Sequence, residues 1–209
     1  MSLSEFQVRV ATLVLGLPEA AEFALAGGAA LIVHDVTDRA TRDLDCFGPT
    51  IDAVDRLCAS VVEACAAEGL RAEVDQSGTG FARLQIADHR DSTLLDLGYD
   101  PALSPPIVTA IGAVRALDDL AGDKLLAVFS RAAPRDFLDV AALLRRYSRE
   151  ELEERAAAKD RGFDRLVLAD AFGVLPTIRR DRFALDDADY GDMLITFGTW
   201  REQIRADRA

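Results

Sequence analysis

An α/β fold, a small mixed β-sheet core followed by a helical half, is predicted for this chain of 209 residues by three features of its sequence. The run Phe23 to Ala26 stops at Gly27-Gly28 and passes at once into the apolar segment Ala29 to Val33, which reads as strand, tight turn and helix. Short apolar segments of strand character recur as far as Gly98. Beyond the proline-punctuated stretch Pro101 to Pro106, helical spacing takes over. A soft boundary at that loop divides residues 1–106, the sheet core, from residues 107–209, the helical half.

In chain order, Ser4 to Leu15 carries apolar residues at Phe6, Val10, Leu13 and Val14 and reads as an amphipathic helix leading into the first strand. A second strand covers Leu44 to Phe47. After the turn Gly48-Pro49-Thr50, Ile51 to Glu68 has helical spacing through Val54, Leu57, Val61 and Cys65, and Gly69 is placed to end it. Leu70 to Asp75 and Phe81 to Ala87 form a hairpin around Gln76-Ser77-Gly78-Thr79-Gly80. A phosphate loop would need a helix after it and a lysine to close it, and this stretch has neither. Thr93 to Gly98 is a further strand with Asp96 in its middle.

Everything after Pro106 reads as helical. Asp118 or Asp119 caps a helix to about Ala132, and Pro134 suits the first turn of the next, Arg135 to Tyr147. Ser148-Arg149-Glu150-Glu151 has the capping-box form and opens a charged helix to about Arg161. Phe163 to Phe172 and Tyr190 to Arg205 are two more helices, separated by a loop holding Arg179, Arg180 and Arg182.

With 50% hydrophobic and 29% charged residues, the composition is that of a globular chain rather than a disordered or fibrous one. No apolar run reaches spanning length and nothing at the start resembles a signal peptide, so a cytoplasmic protein is expected, with no membrane partner. Cys46, Cys58 and Cys65 have no ligand spacing with each other or with His34 and His89; they suggest neither zinc nor disulfides, only small buried hydrophobes. The net charge of −12 argues against broad, salt-driven nucleic-acid binding and leaves room for a local basic patch or a basic partner.

The Gly27-Gly28 turn lets a ligand approach the backbone with no Cβ in the way, and the helix start after it offers N–H groups and partial positive charge to an anion such as a polyphosphate. Asp43 and Asp45 alternate along a strand, so they share a face roughly 6 to 7 Å apart. Two such carboxylates suit Mg²⁺, which leaves its remaining positions to water and phosphates. Asp96 interrupts the apolar run Leu94-Leu95-Asp96-Leu97. A charge there calls for a partner, a metal among them, or for a place on the solvent face of an edge strand.

The run Leu25-Ala26-Gly27-Gly28-x-Ala30-Leu31, with Arg39-x-Thr41-x-Asp43-Leu44-Asp45-x-Phe47 after it, resembles the first motif of the DNA polymerase β-like nucleotidyltransferases, and within them the AbiEii/AbiGii toxin family. A second signature is similar too: Lys124-Leu125-x-Ala127, Arg131, then Arg135-Asp136-x-x-Asp139. The resemblance implies active-site roles for Lys124 and Asp139, brought over the site by the helical half. Lys124 would neutralise the triphosphate and the departing pyrophosphate, and Asp139 would orient Lys124 or an arginine. By position, Asp96 resembles the third carboxylate of the superfamily, a metal ligand or general base. Gly27, Gly28, Arg39, Lys124, Arg131 and Arg135 are the candidate nucleotide contacts, with Arg131 and Arg135 open between phosphate contact and structure. Asp136 reads as negative charge complementing a helix N-terminus. One departure is Ala29, where a hydroxyl residue is common.

The implied reaction is transfer of a nucleoside monophosphate from NTP to an acceptor hydroxyl with two Mg²⁺ ions. The implied acceptor is RNA, tRNA in particular, and a cognate antitoxin is the implied protein partner. The alternatives are the same chemistry on a small hydroxylated molecule such as an aminoglycoside, and a binding module without turnover.

Overall fold

The computed structural model describes residues 3–207. The chain divides into two compact units, Met1–Leu120 and Ala121–Ala209. Among the described residues no helix is long and apolar enough to cross a membrane.

The first unit opens with α1 (Glu5–Leu15), capped by Ser4 in a reciprocal capping box with Gln7. Next come β1 (Ala24–Ala26), α2 (Gly27–Val33), β2 (Asp43–Gly48), and α3 (Ile51–Ala67), capped by Thr50. The strands β3 (Arg71–Gly78), β4 (Phe81–Ala87), β5 (Ser92–Tyr99), β6 (Ile107–Thr109) and β7 (Gly112–Val114) follow. Together the strands form one seven-stranded mixed sheet in the order β3-β4-β5-β2-β1-β7-β6. β2 pairs parallel with β5 and β1 parallel with β7, while the other pairings are antiparallel. Ala82, Leu84 and Ile86 of β4, Leu95 and Leu97 of β5, and Leu44 and Cys46 of β2 are all buried. Because faces alternate along a strand, that apolar set commits the sheet's other face to the residues between.

Three expectations are corrected. The chain beyond Pro106 is not helical at once: β6 and β7 form a hairpin that adds two strands to the sheet through β1. The loop 76–80 shrinks to Thr79-Gly80, because β3 continues to Gly78 past an irregularity between Val74 and Gln76. Neither Asp118 nor Asp119 is a cap, since α4 (Leu117–Arg131) begins before both; Asp119 instead accepts the N–H groups of Leu103 and Ser104 at 3.0 and 3.2 Å.

α4 carries the chain into the second unit, where α5 (Pro134–Leu143), α6 (Arg149–Lys159), α7 (Arg165–Phe172) and α8 (Asp187–Ala206) follow. Ser148 caps α6 with Glu151 in the expected capping box. Aromatic rings fill this unit: Phe197 lies edge-on to Phe137 at 5.2 Å and tilted against Phe172 at 5.1 Å, and Phe172 meets Trp200 at 4.8 Å. The Trp200 indole N–H donates to Glu153 at 2.6 Å, and Arg165 holds the other oxygen of that carboxylate at 2.6 Å. The Trp200 N–H and the Glu153 carboxylate are thereby matched to each other and to Arg165.

At Gly48 a Cβ would meet three ring atoms of the buried Phe23 at 2.6 to 2.8 Å. Gly48→Ala should therefore lower unfolding stability by about 1 to 3 kcal/mol in urea titration, the usual cost of overpacking. Gly78→Ala, which meets nothing within 4 Å, should cost none.

Candidate active site

β1 is buried along its whole length and ends at Gly27, whose φ of +61° turns the chain into α2. A Cβ on Gly27 would stand 1.8 Å from Oδ2 of Asp45, so the carboxylate fills the space a side chain would take. The register explains the approach. Ala26 pairs with Asp45, Asp45 with Asp96, and Asp96 with Arg83. Register partners share a face, so one row crosses four strands: Ala26, Asp45, Asp96, Arg83.

Asp43 lies two residues from Asp45 on the same face, and its Oδ1 accepts the Thr41 hydroxyl at 2.9 Å. Above Gly28, where a Cβ would be, Arg39 Nη2 stands at 3.0 Å and Thr41 Oγ1 at 3.1 Å. Arg39 also donates to the carbonyl of Ala40 at 3.3 Å. Gly27, Gly28, Arg39, Thr41, Asp43 and Asp45 thus gather at one turn.

Asp96 is buried, and both its oxygens accept from Arg83: Oδ1 from Nε at 2.6 Å and Oδ2 from Nη2 at 2.5 Å. β5 runs between β4 and β2, so the solvent-edge placement does not hold for Asp96. The hydrogen bonding to Asp96 raises the Arg83 pKa above its ordinary value against the pull of burial, and the charges of Asp96, Asp43 and Asp45 add to it. Arg83 went unnoticed in the sequence, although it is the only charge in Phe81-Ala82-Arg83-Leu84-Gln85-Ile86-Ala87, as Asp96 is in its own run.

Among the described residues no group of three or more His, Cys, Asp or Glu side chains is placed to hold a metal ion. Asp96 gives one lone pair of each oxygen to Arg83 and stands next to Asp45 in the row across the sheet. Asp43 and Asp45 as a pair do fit Mg²⁺, which needs only one or two protein carboxylates beside phosphate oxygens, and the space over Gly27 keeps Asp45 close to the turn. Cys46, between them and the core, has its thiol pushed well above the ordinary range by burial and the Asp45 charge, so it remains a neutral packing residue. His34 contacts the Arg115 carbonyl at 2.9 Å, a structural bond.

In the second unit, Lys124 of α4 pairs with Asp139 of α5, Nζ to Oδ2 at 2.9 Å, with side chains 10% and 0% exposed. Arg131 sends Nε and Nη2 to Asp136 at 2.9 and 2.7 Å, and Asp136 also accepts the Ala133 N–H at 3.1 Å. Asp136 is in the first turn of α5, where negative charge complements the helix dipole. Two ion pairs therefore bridge the break between α4 and α5.

The sequence matches the family model described as nucleotidyl transferase AbiEii toxin, type IV TA system, over residues 16–205. Among solved structures, JHP933 from Helicobacter pylori is 19% identical with a TM-score of 0.57, covering 99% of this chain and 94% of its own. MenT4, a nucleotidyltransferase toxin from Mycobacterium tuberculosis H37Rv, is 15% identical with a TM-score of 0.61, over 93% of this chain and 82% of its own. At these identities the likeness is one of fold. No curated protein matches.

Lys124→Met should take the ammonium away from the buried Asp139 carboxylate and cost about 1 to 3 kcal/mol in urea titration. Lys124→Met with Asp139→Leu should recover most of that loss. A single variant as stable as wild type would contradict the burial of this pair.

Proposed function

The chain belongs to the nucleotidyl transferase AbiEii toxin family, and we propose that it moves a nucleoside monophosphate from NTP to an acceptor hydroxyl of RNA, tRNA in particular. The observation that carries this reading is the Asp43 and Asp45 pair set against the Gly27-Gly28 turn, with Asp45 over Gly27 and Arg39 over Gly28. Gly27 and Gly28 would let the triphosphate approach the backbone, and Arg39 would meet its charge. Asp43 and Asp45 would hold Mg²⁺, which when bound neutralises phosphate oxygens and activates the attacking hydroxyl. Thr41, bonded to Asp43, fixes the orientation of that carboxylate.

In the transfer, the acceptor oxygen forms a bond to the α-phosphorus as the bond from that phosphorus to the β-phosphate oxygen breaks. Pyrophosphate leaves with the electron pair, and the hydroxyl proton passes to water. Asp96, assigned by resemblance as metal ligand or general base, is held in place by Arg83 at both oxygens. By family resemblance, Lys124 is assigned to the charge of the triphosphate and the pyrophosphate, and Asp139 to holding its ammonium, support for which is their pairing at 2.9 Å. Arg135 is a candidate both for phosphate contact and for a structural role. Arg131, with Nε and Nη2 on Asp136, serves first to join α4 to α5. As a toxin-type enzyme working in the cytoplasm, where NTP and tRNA are found, it would be neutralised by a cognate antitoxin.

Purified protein incubated with Mg²⁺, total tRNA and each labelled NTP in turn should label tRNA with one nucleotide, and Asp45→Ala should lower that signal by at least ~100-fold. Label on small hydroxylated molecules alone would overturn the acceptor, and no label on any acceptor would overturn the transferase.

A further inference from the structure

Two features stand beside the carboxylate pair on the side away from the Gly27-Gly28 turn. The row Ala26, Asp45, Asp96, Arg83 puts Arg83 three strands from β1, about 14 Å at the usual ~4.8 Å per strand. Asp96 takes Nε and Nη2 of its fork and leaves Nη1 outside that pair, on a side chain 30% exposed. The adjoining row is Ala24, Phe47, Gly98, Phe81. Gly98 lies under the Phe47 ring, where a Cβ would come within 2.9 Å of it. Phe81, half-buried at the end of this row, faces the Arg83 guanidinium at 5.9 Å. A fixed positive edge and an aromatic ring are thus neighbours on one sheet face.

An in-line displacement sets nucleophile and leaving group on opposite sides of the phosphorus. With the triphosphate at the Gly27-Gly28 turn and the carboxylates in the middle, the attacking hydroxyl enters from β5 and β4. We propose that Arg83 and Phe81 form the acceptor subsite and that the acceptor is a nucleotide end. Nη1 of Arg83 takes the phosphate next to the attacking ribose, and Phe81 stacks on its base. The proposal rests on the nucleotidyl-transfer reading above. In it Asp96 is the positioning residue of Arg83: two parallel hydrogen bonds lock the guanidinium plane, which a flexible lysine could not match.

This subsite also bears on the chain's charge of −12. Whole-molecule attraction cannot hold an RNA here, so recognition depends on a few local contacts at its end, and losing one should be felt sharply.

The test is binding of a labelled single-stranded RNA with a free 3′-hydroxyl, followed by fluorescence anisotropy at several salt concentrations, with NTP binding measured alongside. Arg83→Gln should weaken RNA binding about tenfold or more and reduce the slope of log affinity against log salt by ~0.7, the loss of one phosphate contact to a single strand. Arg83→Gln with Asp96→Asn removes the charge while leaving no unpaired buried carboxylate, and should show the same loss in a folded chain. Phe81→Leu should weaken binding by about fivefold or more with the salt slope unchanged. NTP affinity should stay within about twofold in all three, because the contacts are on the acceptor side. Unchanged RNA affinity, a fall in NTP affinity instead, or a wild-type chain that binds no RNA would each overturn the subsite. Binding is read without turnover, so failure to transfer to any acceptor would count against the preceding reading and not against this one.

Discussion

The Asp45 carboxylate rests where a Gly27 side chain would be, and the geometry of the sheet unit is arranged to permit that contact. It needs a left-handed residue at the end of β1, and Gly27 at φ +61° supplies it. It also needs the Ala26 to Asp45 register of the antiparallel β1 and β2. That register is enforced from the opposite face, where Leu44, Cys46, Leu95, Leu97, Leu84 and Ile86 are buried. A slip of one residue would drive Asp43 and Asp45 into the core and expose the apolar set, so packing on one face specifies chemistry on the other. The crowding of negative charge at this point has a cost, and Arg83 offsets part of it from across the sheet.

In the helical unit a different economy of charge operates. Lys124 with Asp139, and Arg131 with Asp136, bring two carboxylates to full burial. Such pairs are weak contributors to stability compared with apolar packing, but each is costly to break by halves. Their effect is to specify how α5 meets α4 across Pro134, while the Phe137, Phe172, Phe197 and Trp200 cluster supplies the apolar burial. The Lys124 ammonium is held at 2.9 Å by a carboxylate that is itself fully buried.

What could be read from the sequence was what is local. Gly27-Gly28 followed by an apolar helix, and two aspartates spaced by two in a strand, declare their geometry within a few residues, and the capping box at Ser148 does the same. The β6 and β7 hairpin was hidden because its strands are three residues each, too short for a period to show, and it belongs to the sheet only through pairing with β1. Asp96 was ambiguous for a topological reason: whether β5 is an edge or a central strand depends on where β2 and β4 dock. Arg83 was invisible for the same reason, since its meaning comes from the residue opposite it rather than from its neighbours in the chain.

The central claim is that Asp43 and Asp45, seated against Gly27-Gly28, hold the metal that accompanies NTP. Mn²⁺ substituted for Mg²⁺ can be followed directly by electron paramagnetic resonance, with and without NTP, in wild type and in the Asp43→Asn, Asp45→Asn double variant. The account predicts that NTP increases Mn²⁺ binding to the wild-type chain and that the double variant loses it by at least ~100-fold. Equal Mn²⁺ binding by both proteins would place the metal elsewhere and contradict the account.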